Sequence, residues 1–230
     1  MSKQIWKPGT LLAPVPAVMV SCGTTKAPNI LTVAWTGIVS TVPPKVSISI
    51  RPERYSYNII KTRREFVINL TTKELVFAAD FCGVKSGREI DKFESLGLTP
   101  ARGSKVSAPL IAESPVNLEC KVDQILELGS HRLILADIVA VQVEDSLVSD
   151  RGKLLLHKAN LTAYAHGEYF ALGEKLGDFG YSVRKKSTER RRLTQDKKEK
   201  GRTFKQTDIV KPDTPVKPVK AGKKFIDRRS

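Results

Sequence analysis

Short β-type segments follow one another along the first 183 residues, with few helical segments between them. Val46, Ile48 and Ile50 alternate with polar residues, and the apolar residues between 116 and 122 do the same. Alternation with a period of two is typical of a strand with one buried and one solvated face. Many such strands without crossover helices favour antiparallel closure into a barrel, because closure removes exposed strand edges. The sequence therefore predicts a mainly β barrel and not a doubly wound sheet.

The remaining elements are located by apolar runs and by turn residues. Strands are predicted at 17–22, 31–39, 65–70 and 131–144, and short helices at 55–63 and 73–81. A turn at 128–130 joins the strand at 131–144 to the strand before it. The whole of 1–183 is interpreted as one domain with a few short helices.

The positive charge of the chain is concentrated at its end. The net charge is +15, and residues 184–230 contribute +12 of it from 18 Lys plus Arg and six Asp plus Glu. This tail is rich in Lys, Arg and Pro and poor in apolar residues, so it cannot bury enough surface to offset the entropy of ordering. Residues 184–230 are therefore predicted to be a disordered basic tail. We expect this tail to act as an accessory, which improves solubility or holds the protein near an acidic partner, RNA or membrane lipids.

Several classes of site are disfavoured by the sequence. No apolar run is long enough to span a bilayer, and the N-terminus lacks an apolar signal region, so a cytoplasmic protein is expected. The three cysteines and three histidines are scattered, so neither a disulfide framework nor a metal site is indicated. There is no GxSxG, HExxH, Walker or GxGxxG motif. We therefore expect chemistry carried by a cofactor, with no residue acting as a catalytic acid or base.

The segment 29–37 combines apolar residues with small hydroxyl-bearing ones. On a strand, Thr32, Ala34 and Thr36 would share one face. A face of this kind allows a flat ring system to lie close to the backbone and to bond its amides. The alternative is a strand with small core residues.

The segment 47–58 combines a strand end with a helix start. Ser49 and Arg51 point the same way along the strand, and the first residues of the helix include Ser56. A helix N-terminus favours a phosphate, and Arg51 or Arg54 could add a charge-assisted contact. The alternative is a solvated arginine pair and an ordinary capping serine.

A third segment, 81–93, is a loop punctuated by glycines. It carries Lys85, Arg88 and Lys92. Three cations on one loop are consistent with a phosphate site or with a plain solvated surface.

Taken in this order, the segments resemble the flavin reductase-like family of FMN-binding split barrels, and its flavoredoxin group most closely. The matching runs cover roughly residues 5–183 and read NILTVAWTGIVS, SISIRPERYSYNIIK, EFVINL, AADFCGVKSGREIDKF, SPVNLECKV, ELGSHRLILADIVAV and GEYFALGEKLGDFGYSV. The basic tail has no counterpart in the usual family pattern.

The resemblance implies a split β-barrel homodimer with one non-covalently bound flavin mononucleotide (FMN) per subunit, near the subunit interface. Residues matching the segment along the flavin are Asn29, Thr32, Ala34, Trp35 and Thr36. Residues matching the segment near the ribityl chain and phosphate are Ser49, Arg51, Ser56, Tyr57 and Asn58. Further contacts are implied for Lys92, His131 and Tyr164, with the Lys92 ammonium near the phosphate.

Three functions remain open on the sequence. The first is an enzyme that uses NADH or NADPH to reduce flavin or another small acceptor. The second is an electron carrier that exchanges electrons with a redox protein partner. The third is a nucleic-acid-binding protein that uses the basic tail. Aromatic residues that could stack on bases are scarce in that tail, where Phe204 and Phe225 are the only ones.

Overall fold

The structure is a computed structural model that describes residues 1–183. The predicted tail at 184–230 lies outside the described residues, and its disorder and its partners remain predictions. The chain divides into two units, with the boundary between Lys175 and Leu176. The described part of the second unit ends in a 3-10 turn at Tyr181–Val183. The boundary expected at 183 also remains a prediction.

Residues 1–183 form twelve strands and three α-helices. The strands are β1 (Val15–Pro16), β2 (Val18–Thr24), β3 (Ala27–Val33), β4 (Thr36–Thr41), β5 (Pro44–Ile50), β6 (Glu65–Leu70), β7 (Pro100–Ala101), β8 (Leu110–Ile111), β9 (Val116–Leu128), β10 (His131–Val143), β11 (Thr162–Ala165) and β12 (Glu168–Ala171). The helices are α1 (Tyr55–Arg63), α2 (Val76–Val84) and α3 (Lys92–Leu96), and 3-10 turns lie at Asp145–Leu147 and Leu156–Lys158. In this part of the chain no helix is both long and apolar enough to cross a membrane.

Seven antiparallel strands form the main sheet in the order β3-β2-β6-β9-β10-β5-β4. The two edge strands, β3 and β4, are consecutive in the chain and are joined by only Ala34 and Trp35. The Ser49 amide of β5 donates to the Trp35 carbonyl at 2.8 Å, which brings β5 to the end of β3. The sheet therefore curls into a split β-barrel whose seam runs between β3 and β5. The predicted fold class is confirmed.

The barrel interior is filled by the apolar face of each strand. Val46, Ile48 and Ile50 of β5 are almost fully buried, as their alternation predicts, and they pack with Phe66 of β6 and Ile60 of α1. Helices α2 and α3 cover the outer face of β2 and β3 through a second apolar cluster. Helices thus shield the outer face of β3, while the free edge of the same strand faces the seam.

The first half of strand β9 differs from the prediction of one solvated face. Its polar residues Asn117 and Glu119 are buried, at 7% and 0% exposure. The segment 103–111 covers them and donates several backbone amides to their side chains or to their neighbours. These two polar residues anchor a covering loop through hydrogen bonds, whereas Lys121 and Asp123 further along the strand are exposed, as the alternation predicts.

The predicted strand 31–39 is two strands. The ladder with β2 ends at Val33, and Thr36 starts a new ladder with β5. Thr32 and Thr36 therefore belong to different strands and do not share one continuous face. The predicted helix 73–81 also begins later, at Val76, because Thr72 bridges to Leu161 and the Lys73 amide bonds the Asn160 carbonyl.

Candidate functional site

A cleft of about 240 Å³ opens at the barrel seam, where β3 ends and β5 runs into α1. We call it the seam cleft. Its walls come from the end of β3, the link to β4, the end of β5 and the start of β10. The lining residues are Leu31, Thr32, Val33, Ala34, Trp35, Ser49, Ile50, Arg51, Arg54 and His131.

The link between β3 and β4 supplies unpaired backbone donors to the seam cleft. The Ala34 and Trp35 carbonyls are bonded, to the Thr36 and Ser49 amides at 3.1 Å and 2.8 Å. The Ala34 and Trp35 amides themselves reach no backbone acceptor among the described residues. Backbone N–H groups require partners. Two of them beside an indole therefore suit a flat ligand that carries acceptor atoms.

The other end of the cleft is cationic. Arg51 and Arg54 line it, and Arg54 is the residue immediately before α1. The first N–H groups of a helix have no intrahelical acceptor, and no side chain caps α1. Free amides, the helix dipole and two guanidinium groups together favour an anion such as a phosphate. No carboxylate is found among the described residues that line the cleft.

The wall behind the cleft is held by buried polar contacts. Asn29 of β3 donates to the Ser56 hydroxyl of α1 at 2.6 Å, and both residues are buried. Thr32 donates its hydroxyl to the Ala79 carbonyl of α2. Arg54 donates to the Gly83 carbonyl at 3.0 Å. These bonds fix β3, α1 and α2 relative to one another, so the cleft is preformed.

Lys92 is a buried part of this wall and does not line the cleft. Its exposure is 3%, and its ammonium donates to the Ile30 carbonyl at 2.7 Å and to the Cys82 carbonyl at 2.9 Å. Burial lowers the pKa of this ammonium, and the neighbouring Arg54 acts in the same direction. Through these two bonds Lys92 links β3 to the end of α2.

The structure brings six of the thirteen predicted site residues together in the cleft. These are Thr32, Ala34, Trp35, Ser49, Arg51 and His131. Asn29, Ser56 and Lys92 stand in the wall behind them, and Thr36 donates to the Ser47 carbonyl. Tyr57 lies in the barrel core, and Asn58 is exposed on α1. Tyr164 lines a separate cavity beside the N-terminal segment.

On the sequence alone Arg54 is an alternative to Arg51 as a phosphate contact and is not one of the thirteen predicted site residues. The structure places it in the cleft beside Arg51. Its position directly before a predicted helix was the sequence signal for this role.

Comparisons with known proteins place this geometry in a family. A model of the flavin reductase like domain matches residues 11–173. An uncharacterised protein of Archaeoglobus fulgidus is 34% identical over 135 residues, which are 59% of this chain and 76% of that protein.

Solved structures agree with the family match. Flavoredoxin of Desulfovibrio vulgaris (Miyazaki F) is 33% identical with a TM-score of 0.74, over 80% of this chain and 100% of that one. Flavoredoxin of Methanosarcina acetivorans, at 23% identity and a TM-score of 0.72 over the same shares, has the same fold. The chain therefore belongs to the flavin reductase-like family of flavin-binding proteins and, within it, to the flavoredoxin group.

Proposed function

We propose that the seam cleft binds FMN and that the protein transfers electrons through it. The observation that carries this proposal is the pairing of two unbonded amides, at Ala34 and Trp35, with a cationic helix start at the other end of the same cleft. A flavin has a flat ring rich in acceptor atoms, and FMN adds a phosphate at the end of a short polar chain. The two ends of the cleft match these two parts.

The chain's own residues would hold and orient the cofactor. Arg51, Arg54 and the first amides of α1 receive the phosphate. Ser49 lies between the cation pair and the β3–β4 link, where it can bond the polar chain. The Ala34 and Trp35 amides receive the ring, and His131 contributes from the start of β10. Bound FMN would supply the transfer of electrons or hydride.

The electron donor distinguishes two forms of this function. In the enzyme form, NADH or NADPH reduces the protein, which then reduces flavin or another acceptor. In the carrier form, a redox protein partner exchanges electrons with it, and the name of the similar Desulfovibrio vulgaris protein, flavoredoxin, favours this form. Oxidation of NADH or NADPH by the purified protein supports the enzyme form. No oxidation, combined with rapid reduction of the bound flavin by a reduced redox protein such as ferredoxin, supports the carrier form.

We further propose that the protein acts as a homodimer with one FMN per subunit. Strand β4 and the turn that follows it, next to the cleft, expose large apolar side chains at Ile38, Val39 and Val42. Exposed apolar clusters of this kind are typical of protein interfaces. A second copy covering β4 would also narrow the open side of the seam cleft.

The experiment for this proposal compares two flavins. The purified protein should be yellow, should release FMN at about one per chain, and should take up FMN when stripped. Arg51→Gln should weaken FMN about tenfold or more, because charge-assisted bonds are worth about 1.5–3 kcal/mol. Riboflavin, which lacks the phosphate, should bind Arg51→Gln and the unmodified protein equally.

Lys73→Gln is the matched control, because Lys73 is exposed and lies away from the cleft, so that this substitution removes one positive charge without touching the site. It should leave both affinities unchanged. A colourless protein that fails to take up added FMN would overturn the cofactor assignment.

A further inference from the structure

Helix α2 is apolar on its outer side as well as on the side that packs on the barrel. Ala78, Ala79 and Cys82 are buried in the second apolar cluster, against β2 and β3. Phe77 and Val84 lie on the other side of the helix and are 74% and 70% exposed. A helix that is apolar all round is normally covered all round. The outer side of α2 is therefore a surface that we expect a partner to cover.

The exposed apolar side chains form one stripe along α2. Phe77, Phe81 and Val84 are spaced by four and then three residues, which places them on one face of the helix. The rings of Phe77 and Phe81 stack, with centroids 6.4 Å apart. We call these three residues the α2 stripe. Because its two rings are in contact, the stripe is a continuous apolar patch and not a set of isolated exposed residues.

The α2 stripe lies one helix away from the seam cleft. Thr32, which lines the cleft, donates its hydroxyl to the Ala79 carbonyl in the middle of α2. A Cβ on Gly83 would lie 3.4 Å from the Thr32 Cβ, so the end of the helix also touches β3. A helix with its side chains is about 10 Å across. A molecule seated on the stripe is therefore separated from the cleft wall by little more than the thickness of α2.

The charges around the α2 stripe are balanced, whereas the chain as a whole is strongly positive. Lys73 and Glu74 lie at the start of α2, and Asp80 accepts a bond from the Tyr169 hydroxyl at 3.2 Å. The exposed charged residues that adjoin the other end, in sequence or through the bond from Arg54 to the Gly83 carbonyl, are Glu53, Arg54, Lys85, Arg88 and Glu89. The net charge of the chain is +15, so its long-range field attracts an acidic molecule to a contact whose centre is apolar.

The size of the patch favours a transient partner over a second subunit. A stable interface uses about 20–30 residues a side, and weak electron-transfer complexes bury less surface than that. The stripe has three apolar side chains, and Tyr55, which is 39% exposed, lies against the loop that follows α2. An apolar centre with aromatic and arginine side chains and a charged rim is the usual anatomy of a protein interface. The patch is therefore suited to a short-lived complex and is too small to hold a stable dimer.

We propose that the α2 stripe is the docking surface for a small acidic redox protein that exchanges electrons with the bound flavin across α2. This inference rests on the carrier form of the proposed function. Two molecules of a one-electron partner are oxidised for each FMN that is reduced, and two protons from water complete FMNH2. The net charge of the chain steers the partner, and the stripe provides the apolar contact.

The test is stopped-flow reduction of the FMN-loaded full chain by reduced plant-type ferredoxin, a small acidic one-electron protein. Phe77→Gln should lower the second-order rate constant about fivefold or more, because aromatic anchors contribute most to an interface. Lys85→Gln should lower it about two- to threefold and weaken its salt dependence, because a rim charge acts mainly on association. Dithionite, a small reductant that needs no docking surface, should reduce every variant at the same rate.

Two control variants lie on a separate turn. Leu154→Gln removes an exposed apolar side chain and Lys153→Gln removes an exposed positive charge, and neither should change the ferredoxin rate. Isothermal titration with oxidised ferredoxin measures docking without electron transfer, and the variants should rank in the same order. Cytochrome c, a small basic redox protein, is the probe of opposite charge and should not bind.

Equal ferredoxin rates for Phe77→Gln and the unmodified protein would overturn the inference, and so would binding of cytochrome c as tight as that of ferredoxin. A change in the sedimentation of Phe77→Gln alone would also overturn it, because the stripe would then be an interface between copies. If the protein takes up no FMN, oxidised ferredoxin is titrated into the protein as purified. Binding that Phe77→Gln weakens would then uphold the docking surface while the proposed function fails, and absence of binding would overturn it.

Discussion

Glu119 shows how a single buried carboxylate organises a loop. It has no exposure, and it accepts bonds from the amides of Ser104, Lys105 and Val106 and from the Gln142 side chain. Burial by itself raises the pKa of this carboxyl, but the bonds from Gln142, Ser104 and Lys105 outweigh it and lower the pKa to about 2. The covering loop therefore depends on a charge in the barrel wall.

We expect Glu119→Gln to lower the free energy of unfolding by about 2–3 kcal/mol at pH 7, since an amide cannot accept all of these bonds. The folded pKa lies below the unfolded value, so the stabilisation is present above about pH 4.5 and is lost as pH falls towards 2. Urea unfolding across this range checks it. A difference between the two proteins that stays constant from pH 7 to pH 2 would contradict the assignment.

A Lys92 variant can distinguish a residue that positions β3 from one that contacts the FMN phosphate directly. Lys92→Met leaves the Ile30 and Cys82 carbonyls without their donor, so we expect the free energy of unfolding to fall by about 1–3 kcal/mol. Because Lys92 holds β3 from behind, FMN and riboflavin affinities should fall together. A loss confined to FMN, as expected for Arg51→Gln, would instead support the phosphate contact that the family resemblance implies.

At the scale of elements, patterns within one short segment predicted the bounds of α1 and β6 correctly. Helix α1 and strand β6 have the predicted bounds, because a proline precedes the helix and a short apolar run is bounded by polar residues. The break at Ala34 and Trp35 was missed because it depends on which partner each strand pairs with. The burial of Asn117 and Glu119 was missed for a similar reason, since the covering loop comes from residues 103–111. Long-range contacts decide such features, and a local pattern does not contain them.

The loop between α2 and α3 fits the cleft wall so closely that one methyl group should disturb it. A Cβ on Gly87 would lie 1.9 Å from the Asn29 side-chain oxygen and 3.0 Å from the Tyr55 ring. Gly87→Ala should therefore cost about 1–3 kcal/mol of stability and weaken FMN, because Asn29 must leave Ser56. Gly173→Ala, outside both the cleft and β4, meets nothing within 4 Å and should be neutral in both respects. Thermal melts and FMN titrations compare the two variants, and equal behaviour would contradict this account.

For the molecule as a whole, the open seam is the feature that joins fold and function. A fully closed barrel would pair β3 with its neighbour and fill the space where the cleft lies. Here β3 keeps a free edge, helices shield its outer face, and α1 starts at the mouth. The same openness leaves large apolar side chains exposed beside the cleft, at 62% for Ile38 in β4 and 90% for Val42 in the turn after it.

We expect a second copy of the chain to cover this β4 surface. Ile38→Lys should convert a dimer into a monomer in sedimentation velocity, because a buried charge at an interface is costly. FMN affinity should fall with it, since the partner would no longer narrow the cleft. Phe77→Lys, at an exposed apolar position on α2, is the control and should leave both unchanged. A dimer that survives Ile38→Lys would place the subunit interface elsewhere, and a monomer with undiminished FMN affinity would show that one subunit suffices to form the site.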